Sequence, residues 1–263
     1  MPEGDILRLT ADRFELAIGG KQLVRSDLRW PSAATVDLVG RTVLETRSYG
    51  KHLLTRFDDG RTLHTHLRME GYWRVARTGS PEAAARSPQV RAVLATADWT
   101  TVGYHLGMLD VVRTRDERTL IGHLGPDLLA ETVDLDEALR RWVARGATPG
   151  AEVLLDQTVT AGIGTIYAAE SLFAQRLWPW TPADEITDPR ELLGVARRQL
   201  QRAVTDGRAP GHVHGRLRQP CHRCGTRIVV GQARKPPMER PIFYCPRCQP
   251  QPADASARAT AHG

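Results

Sequence analysis

The sequence has no long apolar run and no internal repeat, and its cysteines are confined to one short segment near the C-terminal end. No stretch approaches the roughly 18 consecutive apolar residues that a transmembrane helix needs. The first residues also lack the basic and then apolar order of a signal peptide, because Glu3 and Asp5 stand where positive charge is expected. These absences predict a cytoplasmic protein that does not associate with membranes.

An excess of acidic residues is also lacking. The 263 residues include 36 Lys and Arg against 30 Asp and Glu, which gives a net charge of +6 and a pI near 9.5. A protein this basic suggests a polyanionic partner, with nucleic acid the first candidate and an anionic membrane surface the second. The length and the hydrophobic fraction of 41% suffice for one large domain, or for two modest domains with an appendage.

The four cysteines form two C-x2-C pairs, Cys221 with Cys224 and Cys245 with Cys248, and twenty residues separate the pairs. Each pair can place two thiolates on one tetrahedral ion. Two disulfides are the alternative, but a cytoplasmic protein is kept in a reducing compartment. We therefore predict one structural Zn2+ ion, whose four protein ligands leave no open position for a substrate.

The residues between the cysteine pairs predict a β-hairpin with a basic turn. The stretch "RKPPMERP" places Arg234, Lys235 and Arg240 around that turn. For each residue taken alone, a solvated charged loop is the plain interpretation. A zinc ribbon with a basic tip is, however, a common way to bind phosphate groups.

Apolar spacing in the first half of the chain predicts a short helix followed by an antiparallel β-sandwich. Residues 4–18 have helical spacing and end at Gly19 and Gly20. The predicted buried face of this helix consists of Ile6, Thr10, Phe14 and Ala17. From about residue 21 to 112, short alternating runs and a "DDG" turn predict hairpins. A surface loop is predicted over residues 77–89.

After residue 123 the pattern becomes helical. We predict helices over 134–146, 151–160 and 165–176, and a fourth helix that Asp188 caps, with Pro189 at its first position. The first of these helices has an apolar stripe of Leu135, Ala138, Leu139, Trp142 and Val143. Residues 250–263 have no means of packing and are predicted to be disordered. The chain is therefore expected to belong to the α+β class.

Two glycines, Gly162 and Gly164, flank Ile163 between two of the predicted helices. Glycines there would let an anion approach the bare amides at the start of the next helix, which is a potential phosphate site. A plain helix hairpin that needs glycines only for turning is the alternative, and the spacing alone favours it.

Several motifs now occur together in one order: "PEG" at residues 2–4, then "GKHLL", "HLGPD", "DQTVTAGIGTIYAAESLF", and the paired C-x2-C ribbon with Arg240 five residues before Cys245. In this combination the sequence resembles the bacterial formamidopyrimidine-DNA glycosylase and endonuclease VIII family, and "PEG" is typical of its endonuclease VIII branch. The resemblance implies a bifunctional DNA glycosylase and AP lyase of base excision repair. Such an enzyme acts as a monomer on double-stranded DNA that contains a damaged base or an abasic site.

The resemblance also implies the domain organisation. A catalytic antiparallel β-sandwich with an N-terminal helix would span residues 1–120. A DNA-binding helix–two-turn–helix domain would span 121–215, and a C-terminal zinc ribbon, the zinc finger of the family, would span 216–249. The disordered tail of residues 250–263 would follow.

Four catalytic residues are implied by the same resemblance. The amine of Pro2, freed by removal of Met1, would attack the anomeric carbon of a flipped-out damaged nucleotide, and Glu3 would donate and shuttle protons. An α-amino group titrates near pH 7.7–8.0, so far more of it is neutral near pH 7 than of a lysine amine. Lys51 and Arg240 would bind phosphates at the lesion and favour β,δ-elimination. Without the family context, Glu3 is a helix-start charge and the two cations are surface residues.

The implied DNA contacts are more widely distributed. Met69 would fill the gap left by the flipped base, although a methionine in a hairpin is more often a core residue. The turn with Gly162 and Gly164 would bind phosphate, as would Arg234 and Lys235. The usual asparagine of the family is Thr165 here, which can donate one hydrogen bond and cap the helix. We therefore expect a weaker or shifted contact at this position.

Oxidised pyrimidines are the predicted lesions, acted on in the bacterial cytosol at the nucleoid. The "PEG" start, the short segment 205–216 and the absence of an arginine–phenylalanine wedge from "GMLDVVRTRDERTL" favour that branch. A preference for oxidised purines is the alternative. A non-catalytic damaged-DNA-binding relative and an RNA-binding zinc-ribbon protein are the competing functions.

Overall fold

In the computed structural model, residues 2–252 are described, and contacts divide the chain into two units, residues 1–123 and 124–263. The predicted tail of residues 250–263 lies outside the described residues from position 253 onward. The predicted domain boundaries at 120/121 and 215/216 remain predictions. Within residues 2–252, no helix is long and apolar enough to cross a bilayer.

The first unit is an antiparallel β-sandwich with one long helix, which confirms the predicted architecture. One sheet has the strand order β1-β6-β7-β5 and the other has the order β2-β3-β4-β8. The elements are α1 (Gly4–Ile18), β1 (Arg25–Leu28), β2 (Val43–Tyr49), β3 (His52–Phe57), β4 (Arg61–His66), β5 (Tyr72–Arg77), β6 (Val90–Ala95), β7 (Trp99–Tyr104), β8 (Met108–Arg113) and α2 (Arg118–Ile121). The predicted loop over 77–89 begins at the last residue of β5 and contains one 3-10 turn, Glu82–Ala84.

Helix α1 has the predicted bounds but a different buried face. Ile6 is 42% exposed, so its assignment to the core was wrong, whereas Leu7 and Phe14 are fully buried. Two helical turns separate Leu7 from Phe14, which aligns them on one stripe, and Ile6 lies about 100° away from Leu7 around the axis. The Phe14 ring meets the edge of Trp73 at a centroid distance of 5.0 Å. This contact joins the helix to the sandwich core.

A buried carboxylate ties the segment after β8 to the outer face of its own sheet. Glu117 is 6% exposed, and Arg56 donates to both of its oxygens, at 2.8 Å from Nε and 2.6 Å from Nη2. The Thr62 hydroxyl donates a third hydrogen bond at 2.7 Å. Burial raises the pKa of the Glu117 carboxyl, but the hydrogen bonds from Arg56 and Thr62 outweigh it, and the net pKa is below its usual value.

The second unit contains α3 (Leu135–Val143), α4 (Gly150–Leu154), α5 (Thr165–Ala174), α6 (Pro189–Asp206), β9 (Val229–Gln232) and β10 (Pro241–Tyr244). Asp188 caps α6 as predicted, because its Oδ1 accepts from the Glu191 N–H at 2.8 Å. Helix α4 is half as long as predicted, since Asp156 accepts from both the N–H and the hydroxyl of Thr158 and turns the chain there. Val143 is 70% exposed, so it does not belong to the apolar stripe of α3.

Strands β9 and β10 pair antiparallel and form the predicted hairpin. Ile242 of β10 and Ile228, which directly precedes β9, belong to the same buried cluster as Trp142, Tyr167 and Phe173 of the helices. The cysteine ribbon and the helices of the second unit therefore share one core.

Candidate functional site

The start of α1 places a carboxylate in a buried position that capping does not explain. Glu3 is 1% exposed and is the N-cap residue of the helix, with its carbonyl accepting from the Ile6 and Leu7 amides. Within residues 2–252 its side chain makes no capping hydrogen bond. Pro2 precedes it and is half-buried. Burying a carboxylate costs free energy, and starting a helix does not require it, so a purely helix-starting role for Glu3 does not account for this arrangement.

Lys51 lies in the two-residue turn between β2 and β3, whose last residue pair is Tyr49 with His52. Gly50 takes up the positive φ of 55° that such a tight hairpin requires. Lys51 is only 9% exposed, which is unusual for a lysine and does not fit the surface-cation interpretation. The hairpin therefore holds this cation close to the sheet.

Next to Lys51 is a row of histidines that our sequence analysis did not identify. His52 Nδ1 is 2.7 Å from His64 Nε2, and His64 Nδ1 is 3.1 Å from Asp110 Oδ2. Burial lowers the pKa of His52 to about 3, assisted by the charges of His66 and His64. Burial and the charges of Arg68 and Lys51 lower the pKa of His66 to about 4. The signal was present in the i, i+2 spacing of "HTH", which puts two histidines on one face of a strand.

Met69 lies at the tip of the turn between β4 and β5 and is 62% exposed. The Gly71 amide closes this turn by donating to the Leu67 carbonyl at 2.9 Å. A Cβ on Gly71 would stand 2.4 Å from that same carbonyl oxygen, so the turn requires glycine. The structure thus places Met69 on the surface rather than in the core.

In the second unit, a side chain outside our predicted set organises the glycine turn. Gln157 Oε1 accepts from the Gly162 amide at 3.1 Å, and its Nε2 donates to the Ile163 carbonyl at 2.8 Å. Gly162 has a φ of 108°, which a residue with a side chain rarely adopts. Gly164 is the N-cap of α5, and Thr165 is its buried first residue. The expectation that Thr165 caps the helix was therefore wrong, because the chain enters the helix one residue earlier.

Glu170 of α5 is another buried carboxylate that the sequence analysis missed. Its Oε1 accepts three backbone N–H groups, from His212 at 2.9 Å, Val213 at 2.8 Å and His214 at 2.9 Å. The residue is 0% exposed. The segment that connects α6 to the cysteine ribbon is thereby bound to the helix that follows the glycine turn.

The four cysteines converge as predicted. All of them are free thiols, and their four sulfur atoms lie within 4.8 Å of one another. Sulfur–sulfur distances of 3.9 Å for Cys221–Cys248 and 3.5 Å for Cys224–Cys245 exceed by far the ~2.05 Å of a disulfide. Four thiolates at ~2.3 Å from a tetrahedral ion would be ~3.8 Å apart. The cluster can therefore hold one metal ion.

One of these thiols is prepared for ionisation. Hydrogen bonds from Thr226 lower the pKa of Cys224 to about 6, whereas burial raises the pKa of Cys245 and, with the neighbouring thiols, raises the pKa of Cys248 to about 12. A metal binds the thiolate form, so metal binding at this cluster must displace protons from the other thiols.

The predicted basic residues lie on the loop between β9 and β10. The Ala233 amide donates to the Arg240 carbonyl at 2.8 Å, which brings the two ends of the loop together. Lys235 is exposed, and Arg234 and Arg240 are half-buried. The Trp180 indole donates to the Gln232 carbonyl at 2.8 Å and so anchors the hairpin.

The structure thus groups the predicted residues in two sets. Pro2, Glu3, Lys51 and Met69 belong to the first unit. The second unit contains the glycine turn, the cysteine cluster and the basic loop.

Residues 1–121 match the family model of the formamidopyrimidine-DNA glycosylase N-terminal domain, and residues 124–211 match that of the formamidopyrimidine-DNA glycosylase H2TH domain. The chain is 43% identical over 263 residues to a protein named probable endonuclease 8 2 of Streptomyces coelicolor, covering 96% of this chain and 95% of the relative.

Two further relatives cover nearly the whole chain. A protein of Mycolicibacterium smegmatis named DNA-(apurinic or apyrimidinic site) lyase Nei2 is 37% identical over 259 residues, covering 95% of this chain and 99% of the relative. Among solved structures, the chain is similar to Lactococcus lactis formamidopyrimidine-DNA glycosylase non-covalently bound to DNA with an AP site. That match has 25% identity and a TM-score of 0.80, and it covers 95% of this chain and 100% of the other.

Proposed function

Because the chain belongs to the formamidopyrimidine-DNA glycosylase and endonuclease VIII family, we propose that it is a DNA glycosylase and AP lyase of base excision repair. Its substrate is double-stranded DNA that contains an oxidised base or an abasic site, and it acts on it as a monomer. The enzyme would act in the bacterial cytosol, on the DNA of the nucleoid.

The nucleophile is the secondary amine of Pro2 after removal of Met1. The nitrogen lone pair attacks C1′ of the damaged nucleotide, the bond from C1′ to the base breaks, and the base leaves with a proton supplied by Glu3. The amine proton passes to Glu3, and the C1′–O4′ bond then breaks as O4′ takes that proton, which leaves an iminium between the Pro2 nitrogen and C1′ of the opened sugar. The iminium draws electrons from C2′, so loss of a C2′ proton expels the 3′ phosphate, and a second elimination expels the 5′ phosphate. The observation that carries this proposal is the buried Glu3 carboxylate, adjacent to Pro2 and not used as a helix cap.

Lys51 and Arg240 bind the phosphates next to the lesion and stabilise the charge that develops on the leaving phosphates. The low exposure of Lys51 supports this role, because a poorly hydrated cation attracts a phosphate more strongly than a fully exposed one. Arg234 and Lys235 add phosphate contacts from the same loop as Arg240.

The remaining DNA contacts follow from the local structure. The exposed Met69 fills the space of the extruded nucleotide. The turn that contains Gly162 and Gly164, together with Thr165 at the first position of α5, binds a phosphate at the start of this helix. One structural Zn2+ ion on Cys221, Cys224, Cys245 and Cys248 holds the ribbon that carries the basic loop.

Oxidised pyrimidines are the preferred lesions in this proposal. The segment 205–216 is short, and Glu170 binds three of its amides. Such a tied segment has little freedom to form a long flap over a purine lesion.

Borohydride trapping tests the proposal. Zinc-loaded wild type and Pro2→Ala are each incubated with duplexes that carry one thymine glycol, one abasic site or one oxidised guanine. We expect covalent adducts for wild type on the first two duplexes and none for the variant. Adducts on the oxidised-guanine duplex in preference to thymine glycol would overturn the pyrimidine preference.

The state of the N-terminus is the essential control. Intact-mass analysis must show that the protein begins at Pro2, because a retained Met1 blocks the nucleophile. A protein that begins at Pro2 and forms no adduct on any duplex would refute the proposed chemistry and favour a DNA-binding relative without catalysis.

A further inference from the structure

Four polar side chains line up across three strands of the sheet that carries Lys51. His52 and His66 are direct partners between β3 and β4, and His64 is the direct partner of Asp110 between β4 and β8. Because side chains alternate between the faces of a strand, all four lie on the same face. His64 is 0% exposed, which is a costly position for an imidazole unless both ring nitrogens have partners.

The hydrogen bonds along this row have a defined direction. A carboxylate only accepts, so the proton of His64 lies on Nδ1 and is donated to Asp110 Oδ2. Burial lowers the pKa of His64, with Asp110 acting against it, so the ring is neutral near pH 7 and its Nε2 is an acceptor. His52 Nδ1 must therefore donate to His64 Nε2 across the 2.7 Å contact. His52 is therefore protonated on Nδ1, and its Nε2 carries no proton.

The surroundings of His52 keep it in that form. The groups that face it are His64 and His66 of β4, Arg68 of the following turn and His123, and each of them disfavours a positive charge on His52. Within residues 2–252 no protein group hydrogen-bonds to His52 Nε2, and the side chain is only partly buried. This nitrogen is therefore an open acceptor.

The hydrogen-bond acceptor His52 Nε2 lies beside a lysine that binds DNA phosphate, where few hydrogen-bond donors are available. The phosphates and sugars of an intact DNA strand offer only acceptors, and the amino donors of paired bases lie inside the grooves, away from the backbone. An opened abasic sugar places hydroxyl donors on the backbone itself, and an unpaired base exposes the N–H groups of its pairing edge. An unprotonated imidazole nitrogen next to the phosphate-binding Lys51 therefore finds a hydrogen-bond donor at the backbone only where the DNA is damaged.

We propose that His52 Nε2 is a specificity-determining acceptor for an O–H or N–H donor exposed at the lesion, and that His64 and Asp110 are positioning residues that set its tautomer. The inference rests on the proposed function, because it assumes that DNA binds at Lys51. It adds a discriminating contact beside Lys51, which binds phosphate whether or not the DNA is damaged.

The tautomer is measured first, without DNA. Long-range 1H–15N correlation spectra of the zinc-loaded full chain at pH 7 report which ring nitrogen carries the proton, and His52→Phe assigns the signals. We expect His52 to be protonated on Nδ1 with Nε2 bare. A proton on Nε2, or on both nitrogens, overturns the proposal whatever the protein does to DNA.

A pair of variants at His64 then separates positioning from packing. His64→Leu removes both hydrogen bonds, so His52 loses its fixed tautomer. In His64→Gln the amide can still donate to Asp110, and its carbonyl can accept from His52. We expect His64→Leu to weaken binding of a duplex with a borohydride-reduced abasic site about fivefold, the effect of one net hydrogen bond. His64→Gln should stay within about twofold of wild type, and binding of undamaged duplex should not change in either variant.

Further duplexes identify the donor. If His64→Leu weakens binding of the duplex with the reduced abasic site but not of a duplex with a tetrahydrofuran site, the donor is the sugar hydroxyl, because tetrahydrofuran lacks it. If binding of both duplexes weakens, the donor is the unpaired base opposite the lesion. If only the rate of cleavage at thymine glycol falls, the donor is the lesion base. An equal loss on damaged and undamaged duplexes, or no loss on any, overturns the proposal. Wild type that begins at Pro2 and forms no borohydride adduct on any duplex refutes the proposed function itself, while the spectra still decide the tautomer.

Discussion

Replacing Glu170 by alanine should destabilise the second unit by about 3 kcal/mol, because three backbone N–H groups, one of them fully buried, share its Oε1. The Val213 amide belongs to a fully buried residue, so its unpaired N–H should cost ~2 kcal/mol. His212 is exposed and His214 is half-buried, so water can replace Glu170 as the acceptor for their amides. Loss of each of these two hydrogen bonds should lower the free energy of unfolding by ~0.5 kcal/mol.

Glu170→Gln is the matched control, since its carbonyl can still accept all three N–H groups. Hydrogen bonds to a charged acceptor are stronger than those to a neutral one, but the variant no longer buries a charge. These effects partly cancel, and we expect a loss of only about 1 kcal/mol. The difference between the two variants isolates the hydrogen bonds from the charge.

Reversible urea unfolding of zinc-loaded proteins measures the free energies, and hydrogen exchange of a peptide covering 212–214 localises the effect. Exchange there should accelerate strongly in Glu170→Ala and slightly in Glu170→Gln. Equal stability losses in the two variants, or unchanged exchange in the alanine variant, would show that Glu170 does not hold this segment.

Three other outcomes are expected. Arg240→Ala should reduce the slope of log K against log salt for a duplex with a tetrahydrofuran site by about 0.9, so that the affinity difference from wild type shrinks about 3.5-fold between 50 and 200 mM salt. Arg115→Ala, which removes one exposed charge elsewhere, controls for net charge, and an unchanged slope in Arg240→Ala would mean that Arg240 contacts no phosphate. Because the folded pKa of Glu117 lies below the ordinary 4.5, its stabilising contribution is present above the unfolded pKa and is lost as the pH falls through the folded pKa. Wild type should therefore lose more stability than Glu117→Gln between pH 5 and pH 3 in thermal unfolding, and parallel curves would contradict this assignment. Removal of zinc by a strong chelator should unfold the cysteine ribbon and abolish strand cleavage, with recovery on zinc addition; full cleavage by protein verified as zinc-free would exclude the ribbon from the reaction.

The sequence by itself was sufficient for the features that depend on near neighbours. The C-x2-C spacing predicted the cysteine cluster, Asp188 before Pro189 predicted the cap of α6, and alternating runs predicted the strands of the sandwich. Each of these patterns acts over a few residues, so the physical cause is visible in the order of the amino acids.

Tertiary structure alone decided the contacts between distant segments. The row of side chains from Asp110 to His52 depends on the register of three strands. The hydrogen bonds from the segment after α6 to Glu170 join positions more than forty residues apart. Local periodicity carries no information on which strands become neighbours or on where a loop closes. The same limit explains the wrong placement of Ile6, since only the packed core determines which of two adjacent apolar residues of a helix faces inward.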